Sequence, residues 1–151
     1  MTQLGPQVAE FILCEDIREE LNGKVSLMGL YRDQVAFLDD GSNVWPRALR
    51  HAVYIRLNHI PPETMKVTLT VESEKGTLFE HKGTFPQDPE APKSEFNLNA
   101  NLGLSVPSYG RLTTRIVLEN ETGEELLRKE RPLMIVPQTA LRASAPTGPN
   151  G

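Results

Sequence analysis

Apolar side chains recur at every second position through the middle of this chain, and that spacing limits its fold more than any other feature. In Met65 to Ser73, Val67, Leu69 and Val71 alternate with Lys66, Thr68, Thr70 and Glu72. In Glu95 to Leu102, Phe96, Leu98, Ala100 and Leu102 alternate with Glu95, Asn97, Asn99 and Asn101. Val53, Ile55 and Leu57, and later Leu112, Ile116 and Leu118, keep the same parity against polar neighbours. Successive residues of a strand point to opposite faces of a sheet, so each run predicts a strand with one apolar and one wet face. A helix would need apolar residues three and four apart, which these runs lack.

The punctuation between runs is that of hairpins. Ser73-Glu74-Lys75-Gly76 and Asn120-Glu121-Thr122-Gly123 each separate two runs and end in glycine, which enters positive φ without a Cβ penalty. Pro61-Pro62 closes another run. Pro86, Pro89 and Pro92 make Phe85 to Lys93 a longer crossing loop, and Pro107-Ser108-Tyr109-Gly110 is a turn before the run from Leu112. Hairpins require antiparallel neighbours, and no helical stretch separates the runs, so a parallel α/β sheet is disfavoured. The expectation is an all-β fold, an antiparallel β-sandwich of about eight strands, immunoglobulin-like or C2-like.

Ala9 to Cys14 and Val25 to Tyr31 are apolar on both parities, which predicts central strands buried on both faces. Gly29 inside the second marks a bulge or a close backbone approach. At most one short helical turn fits between them, over Ile17 to Asn22, with Asp16 as its cap, Glu19 three residues on, and Gly23 at its end. Residues 1–7 and 137–151 hold too little apolar surface to offset their ordering entropy, so they are expected to be disordered around a domain at 8–136.

With 151 residues, 38% of them hydrophobic, the chain suits one domain with a sizeable core. Its net charge is −4 and its Lys and Arg are dispersed, which argues against a nucleic-acid partner and against charge-driven binding to an anionic membrane. No apolar run approaches the roughly 20 residues that span a bilayer, and no basic-then-apolar leader opens the chain, so no membrane span and a cytoplasmic location are expected. Cys14 is the single cysteine, which excludes an intramolecular disulfide and a thiolate metal cage within one chain.

The densest charge is Glu15-Asp16-Ile17-Arg18-Glu19-Glu20. Clustered carboxylates can hold a cation or separate their pKa values, so Asp16, Arg18 and Glu19 form a candidate functional surface; the plainer reading is a solvated strand exit with Asp16 paired to Arg18. Asp39-Asp40-Gly41-Ser42-Asn43 is a second acidic loop, and Asp16, Asp39 and Asp40 together are the candidates for Ca²⁺. The adjacent aspartates lack a calcium loop's alternate spacing and its later glutamate, so a polar turn is the plainer reading there and no metal or cofactor is expected.

His51, His59 and His81 have no paired metal-ligand spacing and read as surface or half-buried imidazoles. Cys14 lies in an apolar run with no histidine beside it and reads as a buried thiol. Trp45, Tyr31, Tyr54 and Tyr109 offer a stacking surface for a sugar or peptide, or more plainly core and rim packing. Gly23-Lys24 lacks the rest of a phosphate loop, and neither GxGxxG nor GxSxG occurs.

The segment from Phe11 to Tyr31 resembles the opening of a bacterial family of small β-sandwich proteins of uncharacterised function. Cys14, Asp16, Arg18, Glu19, Gly23, Lys24, Gly29 and Tyr31 stand at that family's matching positions. The Pro-Ser-Tyr-Gly turn and the Pro-Leu-Met-Ile-Val run at 132–136 are similar in kind. The resemblance implies a sandwich and brings no activity or ligand. Without a nucleophile–base or metal signature the chain is expected to be non-enzymatic, an interaction or structural module with an unknown protein partner. Self-association through an edge strand is one form of that reading. The alternative class is a small-ligand or Ca²⁺-binding sandwich using the acidic loops.

Overall fold

The alternating runs become strands in a computed structural model that describes residues 4–37 and 44–139. In order these are β1 (Gln7–Glu19), β2 (Val25–Leu30), β3 (Gln34–Phe37), β4 (Arg47–Asn58), β5 (Met65–Ser73), β6 (Gly76–Phe85), β7 (Phe96–Val106), β8 (Gly110–Glu119) and β9 (Glu125–Pro137). They form a four-stranded sheet, β2-β1-β4-β7, and a five-stranded sheet, β3-β9-β8-β5-β6. Every pairing is antiparallel except that of β3 with β9, which is parallel.

The inward rows are those the alternation picks out. Val53, Ile55 and Leu57 of β4 meet Val67, Leu69 and Val71 of β5 and Leu112, Ile116 and Leu118 of β8 in one buried cluster between the sheets. Each such side chain contributes about 1.5–3 kcal/mol by leaving water. The fold is therefore the all-β sandwich that the spacing predicts.

The hairpins fall where their glycines stand. Between β8 and β9, Asn120 Oδ1 accepts hydrogen bonds from the backbone N–H of Thr122 (3.1 Å) and of Glu124 (2.9 Å), and Gly123 takes φ +87°. The proline-rich stretch after Phe85 carries the chain from one sheet to the other, and Gln87 closes it by accepting from Lys93 N at 2.9 Å and donating to Lys93 O at 2.6 Å.

Two expectations fail. Val25 to Tyr31 is not a central strand: β2 is an edge, bonded only to β1, and most of its side chains are exposed. A doubly apolar run records only that both faces avoid charge, and an edge left for a partner has the same composition as a strand buried by its own chain.

The short helix capped by Asp16 is also absent. β1 continues through Asp16 to Glu19, paired with Val25 to Met28, and a 3-10 turn at Leu21–Gly23 follows Glu20 with no side-chain cap. One helical turn fixes several dihedrals for few hydrogen bonds, whereas the hairpin satisfies the backbone of both arms. Asn22 (φ +69°) and Gly23 (φ +73°) are both left-handed. Asn-Gly is the pair that a tight hairpin favours, and it is the sequence signal that outweighs the capping pattern here.

Candidate functional site

A sandwich has four open edges, and this one protects three of them. β3 is only four residues long. β6 exposes Glu80, His81 and Lys82, and its pairing with β5 shifts register at Val71/Glu72. β7 exposes the amides Asn97, Asn99 and Asn101 on its outer face. Short length, charge and bulges are the usual devices that stop an edge from pairing with other chains. β2 carries neither a charged residue nor a register shift: its sequence is Val-Ser-Leu-Met-Gly-Leu, and Leu30, Met28 and Val25 are 61%, 43% and 38% exposed. Leu21, at the tip of the same hairpin, is 89% exposed.

The local sequence shapes this edge. Gly29, at φ +64°, faces Glu15, and a Cβ there would meet Glu15 Oε2 at 2.9 Å. Cys14 and Ile17, three residues apart in β1, share a small second cluster with Ala52, flanked by Leu27 and Tyr54. The pairing of β1 with β4 stops at Cys14↔Ala52, so Asp16 to Glu19 pair with β2 alone.

Asn101 of β7 ties this projecting arm down. Its Oδ1 accepts from Ile17 N and its Nδ2 donates to Ile17 O, both at 3.0 Å, standing in for a missing strand. Replacing Asn101 with alanine is expected to cost about 1–3 kcal/mol, since two backbone groups lose their partner. It should also speed hydrogen exchange at the Ile17 amide. Denaturant unfolding with exchange at that amide checks this, and unchanged protection would refute the tie.

The residues singled out from sequence scatter. Asp16, Arg18 and Glu19 lie on this arm, opposite Met28, Ser26 and Val25. Arg18 Nε is 3.2 Å from Asp16 Oδ2, an exposed pair. Asp39 and Asp40 lie outside the described residues. Among the described residues no three of His, Cys, Asp and Glu converge to hold an ion. His51, His59 and His81 stand apart, in β4, just after it, and in β6.

His51 overturns its expectation. It is fully buried, with Nε2 2.9 Å from Thr114 Oγ1 of β8, a polar contact that spans the two sheets, while Nδ1 has no partner. Burial pulls its pKa down to about 4. The signal was present in sequence, because His51 keeps the parity of Leu49, Val53 and Ile55. Tyr31 stacks on it at 6.4 Å between ring centroids and donates its hydroxyl to Arg50 O at 2.7 Å. Burial first, and Glu15 second, push the Tyr31 phenol up to about 12. The Cys14 thiol is fully buried and its pKa is raised by that burial.

The four aromatic candidates do not make one surface. Tyr31 joins His51, and Tyr54 joins the outer cluster. Trp45 meets Tyr109 edge-on at 4.8 Å and Phe37 at 6.1 Å, and the Arg47 guanidinium sits 4.5 Å above the Trp45 ring. That cation–π cluster joins the end of β3, the start of β4 and the turn before β8 through the chain's own arginine. On the outer face of the five-stranded sheet, Arg115 bridges Glu72 at 3.0 Å and Glu130 at 2.7 Å, across β5, β8 and β9. The Glu72 hydrogen bond, and then that of Glu130, holds its pKa above the ordinary value.

No protein-family model matches the chain, and no curated protein does. Among solved structures, the X-ray structure of a Northeast Structural Genomics Consortium target is similar over 97% of this chain and 97% of its own, at 12% identity and a TM-score of 0.42. So slight a likeness carries no functional argument. Among the described residues no helix is long and apolar enough to cross a membrane.

Proposed function

We propose that the protein is a non-enzymatic interaction module, bacterial and cytoplasmic in type, that binds by adding a partner's strand to β2. The observation that carries this reading is the six-residue edge itself, free of charge and proline and exposing Val25, Met28 and Leu30. The unpaired backbone groups of an edge supply hydrogen bonds to an added strand, and its alternate side chains supply specificity. The surface of Asp16, Arg18 and Glu19 lies on the same arm and would frame the incoming strand.

A second copy is the first partner to test. Antiparallel pairing of two β2 strands about a twofold axis consumes both free edges, so assembly closes at a dimer and fuses two four-stranded sheets into one. Two further observations support the reading. The strongly shifted groups, Tyr31, His51 and Arg115, are engaged in holding backbone and strands together. The one cysteine is a buried thiol, suited to a reducing compartment.

Light scattering is expected to give a dimer at concentrations on the order of tens of micromolar, as befits a small interface of the weak class. Met28→Lys, at an exposed position, should give a folded monomer. A wild-type protein that stays monomeric at high micromolar concentration, or a variant that stays dimeric, rules out pairing of β2 with itself.

A further inference from the structure

We infer that the opposite side of the sandwich, between β6 and β7, holds a binding slot for a small monocarboxylate with an apolar body, such as a medium-chain fatty acid. The row of β6 that continues the core side of its sheet reads Phe79, His81, Gly83 and Phe85, beside Val71, Leu69, Val67 and Met65 of β5, with His81 at the open rim. A strand finishing a core would place bulky apolar residues at all four positions. This one places a histidine and a glycine between two phenylalanines, and the space left open measures 230 Å³.

Gly83 is what leaves the room. Its φ lies outside the left-handed range, so the backbone does not require glycine, and a Cβ there would make only ordinary contacts, 3.5 Å from His81 Nε2 and 3.8 Å from Val67 Cγ1. Val67 and Leu69 form the floor and Leu98 and Ala100 of β7 the far wall. Phe85 stacks on Phe96 at 4.7 Å and closes one end by joining the two sheets.

The polar groups lining the slot are His81, Thr84 and Asn99. Of these, only His81 stands on an inward-facing parity, since the Asn99 and Thr84 side chains belong to the outward rows of β7 and β6. The His81 imidazole can donate a hydrogen bond, and no Asp or Glu lines the slot to repel an anion. The volume sets the size of the occupant. At about 30 Å³ for a water-sized group, the slot holds about eight such groups, fewer than a drug-sized ligand needs. The seven-carbon tail of octanoate fits that volume, with its carboxylate at the mouth beside the exposed His81 imidazole.

The test is a titration of isotopically labelled protein with octanoate, followed by NMR. Saturable shifts centred on the His81 ring and on the Leu98 and Ala100 methyls are expected. Octanol should bind about tenfold less tightly, the loss expected when a hydrogen bond to a charged head is removed. Gly83→Leu, which fills the slot, should weaken octanoate at least about tenfold. Should that variant not fold, Ala100→Leu blocks the slot from the opposite wall. Absence of saturable shifts, or shifts centred elsewhere, overturns the site and leaves the slot to a partner's side chain. Equal affinity for octanol overturns the carboxylate assignment.

Discussion

Ile55→Ala lowers the unfolding free energy by about 2–5 kcal/mol, the range for removing a large aliphatic side chain from a close-packed interior. Ile55 is fully buried in the middle of β4, opposite Phe11 of β1 and Leu98 of β7. Both flanking strands are hydrogen-bonded to it, so the backbone cannot move in to close the cavity. The control is Val44→Ala, at a residue 67% exposed, which should stay within about 0.5 kcal/mol of the parent. Denaturant midpoints read both. A loss below 1 kcal/mol at Ile55 would mean that the space between the sheets is not packed as described.

The second large effect is a loss of stability in mild acid that belongs to His51. In the unfolded chain its imidazole titrates near the ordinary value of about 6.5, and in the folded protein burial holds it neutral down to about 4. The unfolded state therefore binds more protons between those values, and stability falls as the pH is lowered through that window. Above about 6.5 both states are neutral and the full stability is present; below about 4 the loss levels off near 3 kcal/mol. Protonation would place a charge between the sheets with Nδ1 unpartnered. His51→Gln carries no proton over this range, and its amide can still meet Thr114. The variant should lose less stability than the parent between pH 7.5 and 4, by about the same 3 kcal/mol. Equal losses in the two proteins would show that other groups carry the acid sensitivity.

How much of this was legible in the sequence depends on the range of the information. The rows Val67, Leu69, Val71 and Phe96, Leu98, Ala100 state which face is buried, because the pleat repeats at the same period as the pattern. The hairpin glycines fix which strands are neighbours. Which strand ends up at an edge is not local. Nothing in Val25 to Leu30 says that β1 will cover one side of it and nothing the other, so an unprotected edge reads as a buried strand.

The candidate sites follow the same division. The Asp16–Arg18 contact is local and was readable. The partnership of His51 with Thr114 joins residues far apart in sequence, and the slot depends on β6 facing β7 across two sheets. Gly83 and His81 carry that signal only once β5 shows which parity of β6 faces inward.

The parallel pairing of β3 with β9 has a consequence for how the molecule is made. Gln34 lies beside Met134, a hundred residues later, and β9 also covers the free side of β8 from Glu119 back to Gly110. During synthesis β3 has no neighbour in its sheet until β9 emerges, and the flank of β8 stays open until the same strand arrives. Ordering so distant a pair must overcome a large loop entropy before any contact rewards it, so maturation is slow and completes only with the final strand. A nascent chain halted before β9 would display two unpaired edges at once, the arrangement that quality-control chaperones recognise.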